Sequence, residues 1–145
     1  MKRMVSLDDI VAFFETLDRA RLADIHRLYA EDAWFKDPFN EVLGIAAIRR
    51  VFEHMFETLD QPRFRVTERI ADGGGAVLLW EFRFGSQGSA RCIRGASHLR
   101  FDAQGRIAWH RDYWDAAEEL YAKLPILGWL VRRLQRALRA PQPGD

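Results

Sequence analysis

From Pro62 onward the apolar residues of this chain fall on every second position, and three glycine-containing turns cut that stretch into four segments. A period of two is the signature of a strand with one face buried. Phe64, Val66, Glu68 and Ile70 form the first alternation, and Asp72-Gly73-Gly74-Gly75 closes it. Ala76, Leu78, Trp80, Phe82 and Phe84 form the second and share one face, leaving Glu81 and Arg83 on the other. Gly85-Ser86-Gln87-Gly88-Ser89 leads to a long strand over 90–102. Asp102-Ala103-Gln104-Gly105 then turns it into a last strand over 106–114. Successive strands joined by tight turns pair antiparallel, so this half of the chain is committed to one sheet.

The first half reads differently. Ser6 ahead of Leu7-Asp8-Asp9 is an N-cap with acids in the first turn, where they complement the helix dipole. A helix follows over 7–18, with Ile10, Phe13, Phe14 and Leu17 on one stripe. A second helix over 21–29 presents Leu22, Ile25, Leu28 and Tyr29, and a short strand over 33–37 and a loop from Asn40 to Gly44 come next. Ile45, Ile48, Val51, Phe52, Met55, Phe56 and Leu59 then trace a third helix. Its apolar stripe is wide enough both to close a core and to line a cavity within it. Helices followed by a strand meander predict an α+β fold.

Length leaves room for one such domain: 145 residues, 48% hydrophobic and 12% aromatic. A formal charge of +1 argues against a nucleic-acid binder, which needs clustered phosphate contacts. The lone Cys92 allows no intrachain disulfide, which agrees with a cytoplasmic protein. Met1-Lys2-Arg3 begins like a signal peptide, but Asp8, Asp9 and Glu15 interrupt the apolar core that should follow. His26, His54, His98 and His110 lack the paired spacing of a zinc site, so no metal is expected. With no phosphate-binding glycine loop, no nucleotide or other cofactor is expected either.

Beyond Asp115 a short helix over 116–123 precedes Pro125, which suits the first position of a second helix. There Ile126, Leu127, Leu130, Leu134 and Leu138 face one way, while Arg132, Arg133, Gln135, Arg136 and Arg139 face the other. The extension, 116–139, is expected to pack through Ile126, Trp129, Leu130 and Leu134 on the domain formed by residues 1–115 or on a partner subunit. Contact with a membrane surface through residues 125–139 is the alternative. Residues 140–145 are expected to be disordered.

One stretch carries an acid in apolar company: Leu28 to Phe39, with Asp37 between Phe35 and Pro38-Phe39. Two readings stand. Asp37 opens an Asp-Pro turn with its side chain on backbone amides, or it points into an apolar pocket that raises its pKa for proton transfer. The run Y-A-E-D-A-W-F-K-D-P-F, Gly44 opening a helix with A-A-I, then L-R-F-D-A-Q-G-R-I and D-Y-W at 112–114 resembles the ketosteroid isomerase branch of the nuclear transport factor 2-like (SnoaL-like) superfamily. The resemblance covers roughly residues 8–116. It implies a curved, mostly antiparallel sheet wrapped as a cone over N-terminal helices, an apolar cavity, and Asp37 at the family's proton-shuttling position.

It also implies where the other site residues lie. Phe13 stands in place of the family's catalytic Tyr and Ser97 in place of its protonated Asp. Tyr29 matches a supporting Tyr, and Phe52 replaces another. Since one oxyanion donor is worth about 3 kcal/mol of barrier, efficient steroid isomerisation is not expected. If Ser97 faces the cavity, so do Gly95 and Leu99; Trp114 would face it too, and with it His110 and Asp112. His110 and Asp112 then form a proton-transfer group, or they pair with arginines of a neighbouring strand. Trp34, Phe39, Phe56 and Trp80 complete the expected ligand pocket.

The resemblance places a homodimer contact on the outer sheet face that carries Cys92, His98 and Arg100. The function expected is acid-base chemistry by Asp37, with Tyr29, His110 and Asp112, on a hydrophobic small molecule, as an isomerase, cyclase or dehydratase-type lyase. The alternatives are a binding module of the same fold without catalysis and a protein-interaction domain.

Overall fold

The computed structural model describes residues 3–86, 90–119 and 124–141. It divides into two compact units, Met1–Trp114 and Asp115–Asp145. In the first, α1 (Leu7–Glu15) starts on a capping box: the Ser6 hydroxyl accepts from the Asp9 amide, and the Asp9 carboxylate accepts from the Ser6 amide. Both otherwise unpartnered amides are thereby satisfied. The helix ends three residues before the expected 18. A 3-10 helix (Arg21–Arg27) follows, then β1 (Tyr29–Lys36), β2 (Glu41–Leu43), α2 (Ile45–Thr58), β3 (Arg63–Asp72), β4 (Gly75–Phe84), β5 (Arg91–Phe101) and β6 (Ile107–Tyr113).

The strands form one curved sheet in the order β2-β1-β6-β5-β4-β3. Only β1 and β6 run parallel; every other neighbouring pair is antiparallel. The four-strand meander read from the period of two is present, with Ala76, Leu78, Trp80 and Phe82 buried and Arg83 exposed. The second hairpin loop, 85–89, lies partly outside the described residues.

Two readings of the first half need correction. Tyr29 is the first residue of β1 and not the end of a helix. The Leu28 carbonyl accepts from the Ile107 amide at 2.7 Å, and Tyr29 pairs with Ile107, so β6 draws this segment into the sheet. The supposed loop after Asn40 contains β2, which pairs Trp34 with Leu43 and Lys36 with Glu41. Residues 37–40 are therefore the turn of a β1-β2 hairpin.

α1, the 3-10 helix and α2 lie against one face of the sheet. Ile10, Leu22, Ile25, Ile48, Leu78, Leu99 and Ile107 join Tyr29 and Phe35 in a single core at 2% exposure or less. Each such side chain contributes about 1.5–3 kcal/mol through removal from water. The Glu15 carboxylate accepts from the Val66 amide at 3.0 Å, where β3 bulges between Val66 and Glu68, and so ties the edge strand to α1.

The second unit contains α3 (Ala116–Glu119) and α4 (Pro125–Leu138). The expected short helix over 116–123 and the expected tail over 140–145 fall in part on residues 120–123 and 142–145, outside the described residues.

Candidate functional site

Alternation along β5 and β6 directs Ser97, His110 and Asp112 to the helix-covered face of the sheet, because Ser97 pairs directly with Asp112 and Leu99 with His110. Parallel pairing of β1 with β6 sets Phe35 beside His110, their ring centroids 4.8 Å apart, and brings Tyr29 from the other end of the chain. The result is a continuous hydrogen-bonded chain through the core. The Trp80 indole N–H donates to Ser97 Oγ at 2.9 Å, and the Ser97 hydroxyl donates to Asp112 Oδ1 at 2.5 Å. His110 Nε2 lies 2.6 Å from the same oxygen, and His110 Nδ1 lies 2.6 Å from the Tyr29 hydroxyl.

Proton directions follow from the donors available. A carboxylate oxygen can only accept, so Nε2 carries the proton shared with Asp112. In the neutral ring Nδ1 is then the acceptor, and the Tyr29 O–H donates to it. The Tyr29 phenol is held well above its ordinary 10.0, first because burial withholds water from the phenolate and second because the Asp112 charge opposes a second anion. Tyr29 is thus a fixed donor. His110 is 2% exposed and engaged at both nitrogens. Asp112 differs: its side chain is 15% exposed, and among the described residues its Oδ2 takes no hydrogen bond.

The raised Tyr29 pKa has a measurable sign. Its contribution to stability is complete below the unfolded value near 10 and falls as pH rises above it, because the unfolded chain releases a proton that the folded chain retains. Tyr29→Phe is therefore expected to flatten the alkaline loss of stability. At neutral pH it is expected to cost about 1–3 kcal/mol by leaving His110 Nδ1 buried without a partner. Thermal unfolding between pH 7 and 11 checks both; an alkaline limb as steep as in the parent would contradict the assignment.

Asp112, His110 and Ser97 form the polar wall of a cavity of about 20 Å³, room for one water molecule. Phe14, Phe52, Phe64, Val66, Leu78 and Trp80 form the apolar remainder. Of the residues expected from the sequence, the site unites Tyr29, His110 and Asp112 with Ser97, Phe52 and Trp80. Among the described residues the partners of Asp112 are Ser97 and His110, and Ser97 takes the place that the arginine reading reserved.

Asp37 is not in this cavity. It is half-buried in the β1-β2 turn, where Oδ1 accepts from the Phe39 and Asn40 amides at 2.8 and 2.6 Å and the Asn40 side-chain amide reaches both oxygens. The turn reading therefore describes its surroundings. An unforeseen hairpin demanded a turn residue at this position, and an Asx turn satisfies amides that the reversal leaves open.

The other departures have equally local causes. Phe13 is buried in the core but does not border the cavity; it borders a separate depression with Val5 and Leu28, because successive helical residues diverge by about 100° and Phe14 takes the direction of the cavity. Trp34 lies on the opposite sheet face, stacked on Trp109 at 5.0 Å. Phe39 is 57% exposed and meets Trp114 edge-on at 5.5 Å, where β6 has already ended. Leu99 and Phe56 pack in the core without bordering the cavity. Phe14, Phe64, Val66 and Leu78 line it instead; each stood on a periodic apolar stripe, which marks a core face but not a cavity wall.

Among the described residues no three His, Cys, Asp or Glu side chains converge as metal ligands, and no helix is long and apolar enough to cross a membrane.

A family model described as a SnoaL-like domain matches residues 10–110. Among curated proteins none matches. Solved structures of similar fold include an NTF2-like protein of unknown function from Exiguobacterium sp. 255-15, 20% identical with a TM-score of 0.65 over 77% of this chain and 98% of that one. A hypothetical protein with a ketosteroid isomerase-like fold from Catenulispora acidiphila, in complex with trimethylamine, is 17% identical with a TM-score of 0.66 over 82% and 92%. TerC, co-crystallised with polyporic acid, is 19% identical with a TM-score of 0.63 over 74% and 87%. At such identities the likeness establishes the fold.

Proposed function

The chain belongs to the SnoaL-like domain family, and from that premise we propose that it is an acid-base catalyst for a small hydrophobic molecule, with Asp112 as the group that takes and returns the proton. One observation carries the reading: at an otherwise apolar cavity wall, Asp112 Oδ1 is held by both Ser97 and His110 while Oδ2 remains free of hydrogen bonds among the described residues. Two donors on one oxygen hold the carboxylate and spread its charge, and the other oxygen keeps a lone pair for a substrate C–H or O–H. Tyr29, acting through His110, fixes the ring that fixes the acid. Proton abstraction beside a carbonyl, or loss of water across a carbon-carbon bond, needs just such a group.

A ligand of ordinary size needs several hundred Å³. Binding therefore requires Phe64 and Val66, half-buried on the edge strand β3, to move outward. Non-catalytic binding is the second reading, favoured by the aromatic lining and by phenylalanine at position 52.

The test is a panel of hydrophobic β-hydroxyketones, β,γ-unsaturated ketones and epoxides, with polyporic acid as a further binding probe. Binding is followed by thermal shift and conversion by mass spectrometry. Conversion that Asp37→Asn retains and Asp112→Asn loses supports the proposal. Binding without conversion of any member supports the second reading, and conversion lost only in Asp37→Asn would return the role to Asp37.

Pairing of two subunits through the outer sheet face is a further part of the proposal. Trp34 and Trp109 stack there, the His98 ring meets Trp109 at 4.8 Å, and the Arg100 guanidinium lies 5.9 Å from the same ring. A dimeric mass by light scattering that Trp109→Glu reduces to the monomer is the expected result. A monomeric parent at tens of micromolar would remove this part.

A further inference from the structure

We infer that α4 is a peripheral anchor for an anionic lipid surface, a property separate from the chemistry proposed for the first unit. The helix runs for 14 residues, about 21 Å. Ile126, Leu130, Leu134 and Leu138 follow one another at every fourth position along it, with Leu127 and Val131 beside them. Ile126, Leu134 and Leu138 are 87%, 61% and 78% exposed. Among the described residues of its own unit the helix is accompanied by the four-residue α3 (Ala116–Glu119), which offers no apolar layer to cover this face.

The opposite face carries Arg132, Arg136 and Arg139, and Arg133 borders the apolar arc with its guanidinium 5.5 Å from the Trp129 ring. Trp129 thus stands among arginines, the place an indole takes between water and acyl chains.

Charge decides the occupant. The chain has 22 basic and 21 acidic residues. Residues 125–139 contain four arginines and no acid, so the remainder holds 18 basic against 21 acidic residues, a net of −3. The basic field is therefore concentrated on the helix whose other face is apolar. A second copy of α4 is a poor match, because burying two such faces together sets arginines beside arginines with no carboxylate on either helix to pair them. A surface of acidic headgroups over hydrocarbon answers both faces at once.

The full chain is to be sedimented with vesicles of equal phosphatidylglycerol and phosphatidylcholine, with vesicles of phosphatidylcholine alone, and with the anionic vesicles at high salt. Sedimentation with the anionic vesicles, loss at high salt, and none with the neutral vesicles is the expected pattern. Each Arg→Gln change at 132, 133, 136 or 139 is expected to weaken partitioning about fivefold, and Leu130→Asp with Leu134→Asp to abolish it. Both leucines are exposed, so the thermal unfolding of the first unit should match that of the parent. Three results would each overturn the inference. The full chain could stay in the supernatant with anionic vesicles, or binding could survive the paired leucine changes. The third is a dimeric mass that those changes abolish in a protein that binds no vesicles, which would seat a second copy on α4.

Discussion

Asp112→Asn is expected to reduce turnover by about two to four orders of magnitude while leaving the fold intact. The amide keeps the volume of the carboxyl group, and its carbonyl oxygen can still accept from the Ser97 hydroxyl and from His110 Nε2. What disappears is the basic lone pair on the second oxygen, now an N–H₂ donor. The loss should therefore fall on kcat, with substrate affinity changed little. Asp37→Asn serves as the contrast. Its carboxylate already holds the Phe39 and Asn40 amides, so the change should lower stability modestly and leave kcat within a few fold. A kcat that falls with Asp37→Asn and survives Asp112→Asn would show that the buried hydrogen-bonded chain is structural only.

Gly95→Val is expected to destabilise the protein by about 3 kcal/mol, a fall in Tm on the order of 10 °C. A Cβ at position 95 would lie 2.5, 2.7 and 2.9 Å from three atoms of the Trp80 ring, closer than real side chains approach. Trp80 cannot retreat freely, since Phe64 meets it edge-on at 5.5 Å and its indole N–H is committed to Ser97. The strain is thus delivered to the cavity wall. If the indole yields, Ser97 loses its donor and the Asp112 carboxylate loses part of its support. Trp80→Leu in the Gly95→Val background is expected to recover much of the stability without recovering the hydrogen bond, a non-additive pair in a double-mutant cycle. An unchanged Tm for Gly95→Val would mean that β5 bends away from Trp80.

The two predictions separate what can be read locally from what cannot. The strand alternation on β4, β5 and β6, the Ser6 cap and the turns at 72–75 and 102–105 depend on neighbours one to four residues away, and each appears in the structure. On β3 the alternation holds at Phe64 and Val66, and the bulge that follows leaves Ile70 56% exposed. Alternation likewise placed His110 and Asp112 on one face and Trp109 on the other, because the period of a strand leaves no freedom once its register against the core is set.

The site itself was legible only in pieces. His110 and Asp112 share a strand, but the Tyr29 partner comes from 81 residues away, through a parallel β1-β6 pairing that no turn announces. That same pairing pulled Tyr29 out of its apparent helix. β2 is three residues long, too short to show any period, yet it made residues 37–40 a turn and so decided the surroundings of Asp37.

By itself the sequence determined the α+β class, the meander and the inward faces of β4, β5 and β6, since propensity, period and turn chemistry act over a few residues and agree with one another here. Tertiary structure alone decided which acid lies beside the cavity, which phenylalanine lines it and how small it is. Those outcomes depend on long-range strand pairing and on a rotation of about 100° between Phe13 and Phe14, and local patterns carry no record of either.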